Sequence, residues 1–178
     1  MDQVRKALDH FMKLKKEKDQ SDRFNLILFQ EYGPNYLNDF TLNPENILMA
    51  LKTLEPTIVQ GNLASGIFVA ITFIIEVYKR ISQKAFRLII LTDSGTLKIQ
   101  GKFMPVLDNL IDMVKNMPFY IDIVRINTDD PGEDRKLMEL VNSCYGNVHH
   151  INGLRDLDSI LEVLALKREI PEETFYDK

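Results

Sequence analysis

Apolar side chains first recur at Val4, Ala7, Leu8, Phe11, Met12 and Leu14, set among charged residues. That three-and-four spacing predicts an amphipathic helix over residues 3–18. "RFNLILFQ" at 23–30 then gathers Phe24, Leu26, Ile27, Leu28 and Phe29 into a short run. Periodicity alone leaves such a run ambiguous, but its length and polar brackets predict a strand. "GPN" at 33–35 reads as a break, and "YLNDFTL" at 36–42 as an edge strand. "NPEN" at 43–46 predicts a helix start, because Asn43 can accept from first-turn amides and Pro44 sits where no amide proton is required. That helix carries Ile47, Leu48, Leu51 and Leu54 and stops before Pro56.

Beyond the loop "PTIVQGN" the pattern changes to alternating helices and strands. A helix over 63–82 is apolar nearly all round in its first three turns, which predicts burial against a sheet. "FRLIILT" at 86–92 is a continuous apolar run with polar ends, as expected of a strand covered on both faces in a parallel sheet. A helix follows at about 101–117, a strand at 119–127, a loop "TDDPGED", and a helix at about 133–144. A short strand "NVHHI" at 147–151 and a helix at about 154–167 complete the pattern. Alternation of this kind predicts a parallel sheet with helices on both faces. With 178 residues, 45% of them hydrophobic, the chain is long enough for one domain with a real core. The expected domain spans 1–170, with a loose tail at 171–178.

Charge narrows the classes of partner. Acids number 26 against 22 bases, for a net charge of -4. No large basic surface is available to neutralise phosphates, so nucleic acid is not an expected partner. The one basic cluster, "KLKKEKDQSDR" at 13–23, is mixed with acids and reads as a solvated helix end, where cations complement the dipole. Cys144 is the only cysteine, so neither an internal disulfide nor a cysteine zinc site can form. Its setting, "LVNSCYG", reads as the last turn of a helix before a glycine cap, hence a buried structural thiol. The N-terminus lacks the apolar stretch of a secretory signal. The longest apolar stretch, at 67–77, is about half of the ~20 residues a bilayer crossing needs and contains Glu76. A cytoplasmic protein with no membrane partner is expected.

Several stretches invite a chemical reading. "TDDPGED" clusters acids, yet it lacks the calcium-loop register, and capping of the following helix explains them more simply. His149 and His150 are adjacent in a predicted strand and point to opposite faces, so they cannot chelate one metal together. "GNLASG" offers amides at a helix start but has neither a dinucleotide fingerprint nor a P-loop lysine. "TDSG" could present Ser94 as a nucleophile, but G-x-S-x-G is missing and no histidine is placed to serve it. No acid, base and nucleophile set can be assembled, so an enzyme is not expected.

From Arg23 onward the chain resembles a von Willebrand factor A domain, including the family's intracellular branch. "FNLILFQEYGPNYLNDFTLNPENILMALKTLEP" is similar to the second strand, short edge hairpin and following helix of that family. "QGNLASGIFVAI" resembles its G-T-N-L-x-x-A-L segment, "LIILTDSG" its strand ending T-D-G, and "LMELVNSCYGNVHHI" its late helix, glycine turn and short strand. The resemblance implies a three-layer, Rossmann-like α/β fold. Its mostly parallel sheet would have about five strands, one of them an antiparallel edge strand, with helices on both faces.

Departures from the family matter as much as agreement. Its metal-ion-dependent adhesion site needs a D-x-S-x-S segment ending the first, central strand, a threonine in the second loop, and the aspartate of T-D-G. A hard divalent cation wants about six oxygens. The D-x-S-x-S strand is absent from this sequence, Gly61 stands where the threonine belongs, with Thr57 and Ser65 near, and only Asp93 matches. Asp93 is therefore expected to be at most a weak, incomplete ligand for Mg²⁺ or Mn²⁺, and no cofactor is expected. Loss of a central strand would expose two hydrophobic strand edges. The flanking strands at 24–29 and 87–92 are expected to close up and pair, with a homodimer through the open edges second and strand addition by another chain the remaining option.

The expected function is a non-catalytic protein-interaction or scaffold domain with a degenerate metal site. Its partner-binding rim would comprise Gly61, Asn62, Ser65, Asp93, Ser94 and Lys98, together with the loop at 128–134. One alternative is a metal-assisted binding module in which Asp93 works with ligands from another chain or segment. A small α/β enzyme using the same rim is the other, though fold likeness alone does not license it.

Overall fold

The computed structural model describes residues 2–30, 33–36, 40–54, 63–81, 85–93, 104–115, 117–126 and 135–167. The chain divides into two compact units, one of residues 1–62 with 152–168, the other of 63–151 with 169–178.

The first unit holds helix α1 (Asp2–Lys18), strands β1 (Ile27–Gln30) and β2 (Gly33–Tyr36), α2 (Pro44–Lys52) and α6 (Leu157–Leu166). Met12 of α1 and Ile47 and Leu51 of α2 are buried together, with Leu8, Phe11, Phe24, Leu26, Leu48 and Leu54 packed around them. The helical spacing at both ends of the first 54 residues thus converges on one cluster. Polar groups then fix the helix ends. Asn43 caps α2 as expected, its Oδ1 accepting from the Glu45 amide at 3.1 Å. At the other end of α2, Arg5 of α1 donates from Nε to the Leu51 carbonyl at 3.0 Å and from Nη2 to that of Lys52 at 3.3 Å. These carbonyls belong to the last turn of α2, where helix acceptors lack internal partners. The basic run at 13–23 ties the end of α1 (Asp2–Lys18) to the turn that follows it. Lys16 Nζ donates to the Gln20 and Asp22 carbonyls, both at 2.6 Å, and Lys15 Nζ lies 3.1 Å from Asp22 Oδ2.

Helix α6 buries Leu157, Leu161, Leu164 and Ala165 and packs against α1. Two polar contacts pin the pair: His10 Nδ1 lies 2.9 Å from Asp158 Oδ1, and Lys18 Nζ donates to the Leu166 carbonyl at 2.9 Å.

The hairpin departs from the sequence reading. Gly33, Pro34 and Asn35, expected to be a break, form most of β2, which pairs antiparallel with β1. Pro34 lies opposite Phe29, and an edge strand tolerates a proline because one row of its amides is not needed for pairing. The expected edge strand at 36–42 contributes Tyr36 to β2 and, further on, an isolated bridge from Thr41 to Phe24, with both N–H···O bonds at 2.8 Å.

The second unit holds α3 (Leu63–Arg80), β3 (Phe86–Thr92), α4 (Met104–Val114), β4 (Phe119–Ile126), α5 (Arg135–Ser143) and β5 (Val148–Ile151). Its sheet is parallel, in the order β3-β4-β5. The architecture is α/β, as the alternating pattern requires. Among the described residues the strands form this three-stranded parallel sheet and the β1-β2 hairpin. Helix α3 also differs. Ile67, Ala70, Ile71, Ile74 and Ile75 are buried, but Phe68, Thr72 and Glu76 form an exposed stripe at i+4 spacing. Its surround is one-sided rather than uniformly buried.

Candidate functional site

Strand β4 is buried along its whole length, which makes any polar residue on it expensive unless it is matched. Asp122 and Arg125 are both 0% exposed and are the buried charged residues among those described. Three residues apart in a strand, they project from opposite faces, so they do not neutralise one another by contact.

On one face, Asp122 shares its side of the sheet with Tyr120, with Arg87 of β3, which is in register with Tyr120, and with His149 of β5, in register with Val124. Asp122 Oδ1 accepts from the Asn147 amide at 3.1 Å and lies 3.5 Å from His149 Nε2. Arg87 Nε is 4.0 Å from Asp122 Oδ2, and its guanidinium carbon stands 5.1 Å from the centre of the Tyr120 ring. One buried carboxylate therefore meets a cation from β3, an imidazole from β5 and the amide that leads into β5. The cluster holds a four-residue strand in place on β4.

The opposite face carries Phe119, Ile121, Ile123 and Arg125 of β4, with Thr92 of β3 and His150 of β5 in register with Arg125. These three lie near the carboxyl ends of the strands, the end at which open α/β sheets bind ligands. Thr92 is half-buried and His150 exposed. The two adjacent histidines thus face opposite sides of β5, as their positions in a strand demanded, and make no shared metal site.

Asp93 follows directly on β3 and is exposed. Among the described residues, no three His, Cys, Asp or Glu side chains gather where a metal ion could be held. Ser65 lies in the first turn of α3, whereas Gly61, Asn62, Ser94, Lys98, Thr57 and the loop at 128–134 lie outside the described residues, as does the tail at 171–178.

Cys144 follows the last residue of α5 and is 1% exposed, with burial pushing its thiol pKa up to about 12. A structural thiol was the expectation, but the glycine beside it works differently from a cap. The left-handed residue is Tyr145, with φ 56°. The Gly146 amide closes the turn on the Val141 carbonyl at 3.0 Å, the six-to-one bond of a Schellman motif. Gly146 is needed for space, since a Cβ there would stand 1.5 Å from the Ile121 carbonyl oxygen of β4.

Sequence reasoning missed Arg87, Asp122 and Arg125. The signal was present in "FYIDIVRIN", where two opposite charges interrupt a run otherwise apolar enough to be buried on both sides.

No protein-family model and no curated protein sequence matches the chain. Solved structures do. The crystal structure of the SpRpn10 VWA domain is 18% identical, with 88% of this chain covering 80% of that one at a TM-score of 0.63. A von Willebrand factor type A protein from Catenulispora acidiphila is 12% identical over 93% of this chain, at a TM-score of 0.67. Proximal thread matrix protein 1 from the mussel byssus is 13% identical, also over 93% of this chain, at 0.60. The match spans only 38% and 43% of those last two chains. The fold is von Willebrand factor A-like.

Proposed function

We propose that this chain, whose fold is von Willebrand factor A-like, is a non-catalytic protein-interaction module with a degenerate metal-ion-dependent adhesion site. The observation that carries the reading is Asp93: it emerges exposed at the carboxyl end of β3, at the place of the family's T-D-G aspartate, in a sequence without D-x-S-x-S. The partner-binding rim comprises Gly61, Asn62, Ser65, Asp93, Ser94 and Lys98. An intracellular setting and a role within an assembly follow from the same resemblance.

The test is a quantitative one. Crosslinkers installed at Asn62 and Lys98 should join a protein partner whose binding is weakened by Asn62→Ala or Lys98→Glu and unaffected by Lys6→Glu on α1. Undiminished binding after all three rim loops are altered would remove this surface assignment. Calorimetry with Mg²⁺ and Mn²⁺ separates this reading from a metal-assisted one. Near-zero heats, the same in wild type and Asp93→Ala, are expected; a saturable heat lost in Asp93→Ala would replace the degenerate site with a working one.

A further inference from the structure

Arg125 is the residue whose chemistry the fold leaves unexplained. Its side chain is entirely buried, yet Nε and both Nη atoms find no hydrogen-bond acceptor. A guanidinium does not escape this cost by losing its proton, as a buried lysine can. Buried and unpaired, it is a charge the fold must offset elsewhere. Asp122 is on the other face of the strand, where it meets Arg87, His149 and the Asn147 amide.

The surroundings indicate which anion would suit it. Thr92, Arg125 and His150 lie side by side in register on three adjacent strands, which are spaced about 4.8 Å apart. The set comprises a threonine, a fork of N–H donors matched to paired oxygens, and an imidazole that can donate from a ring nitrogen. Three different donors in a row suit an anion with oxygens in several directions better than a flat carboxylate. Exposed His150 and half-buried Thr92 give this end of the sheet its border with solvent.

We propose that Arg125, with Thr92 and His150 beside it, forms a binding site for a phosphate-type oxyanion at the carboxyl ends of β3, β4 and β5.

Thermal unfolding of the full chain at pH 6.5, with chloride balancing ionic strength, tests it. Phosphate and sulfate should raise the midpoint saturably, by roughly 5–10 °C at a hundredfold excess over Kd; acetate should do so much less. Both tetrahedral anions also stabilise folded proteins non-specifically, so the deciding quantity is the difference from Arg125→Met. That variant should lose the saturable rise and be more stable than wild type without phosphate, because an apolar side chain of similar length removes the unmatched charge. His150→Ala, at an exposed position, should fold normally and weaken phosphate binding several-fold. In parallel, the Arg125 Nε–H resonance of the wild type should shift during a phosphate titration. An identical rise in Arg125→Met, an acetate effect equal to that of phosphate, or a stationary Nε–H resonance would overturn the proposal.

Discussion

Gly146 and Tyr145 show how much one turn can constrain. Adding a methyl group at Gly146 would drive it into the Ile121 carbonyl oxygen of β4, at 1.5 Å, and neither backbone can yield without breaking the α5-to-β5 turn. Gly146→Ala should therefore cost more than about 3 kcal/mol, read as a fall in the urea midpoint. Tyr145 bears the opposite error, a β-carbon held at φ 56°. Left-handed backbone costs a non-glycine residue roughly 1–2 kcal/mol. Next to them, burial holds the Cys144 thiol near pKa 12. At pH 8 the thiolate is scarcely populated, and a thiol-reactive dye should label the native protein orders of magnitude more slowly than the urea-unfolded chain. The sequence showed that a turn with a buried cysteine lies here. It did not show which of two neighbouring residues takes the left-handed conformation, because that depends on how closely β4 passes behind Gly146.

At the scale of elements, the ends of helices were more legible than the strands. Asn43 before Pro44 carried its own mechanism, and the structure places its side chain on the Glu45 amide; Asn43→Ala should cost about 1 kcal/mol. The partners of α1 were not legible, since Arg5 finds the end of α2 and His10 finds Asp158 of α6 across separations that no local pattern encodes. The His10 contact has a pH signature. Its hydrogen bond to Asp158 raises the His10 pKa above 6.5, aided by the charges of Asp158, Glu162 and Glu17. A folded-state pKa above the unfolded value means that stabilisation is complete below about 6.5 and is lost as pH rises through the folded value. Exposure of the pair keeps the effect small. His10→Gln should flatten the pH dependence of the urea midpoint between pH 5.5 and 8 while leaving the midpoint at pH 8 nearly unchanged. The strand at 33–36 was misjudged for a related reason. Glycine and proline are local turn formers, and only the pairing with β1 turns them into an edge strand.

For the whole molecule, strand order decides what the apolar runs mean. "FRLIILT" reads from sequence as a strand covered on both faces of a parallel sheet and "FYIDIVRI" simply as a strand, yet among the described strands the order β3-β4-β5 puts β4, not β3, in the middle. The distinction is not encoded in either run, because a sheet face and a sheet edge place separate demands on a strand: side-chain burial is written in composition, whereas lateral pairing is not. Burial agrees with the order, since β4 is buried throughout while β3 is fully buried only at Phe86 and Ile90. Amides of β4, flanked by strands on both sides, should exchange with solvent only by opening of the whole unit, and those of central β3 measurably faster. Hydrogen exchange of the full chain at two concentrations checks this. If protection of β3 instead equals that of β4 and grows with concentration, the outer edge of β3 is being covered by a second copy, the association that an apolar edge strand invites. Equal protection at every concentration would place a strand of this same chain there, and the sheet would be wider than three.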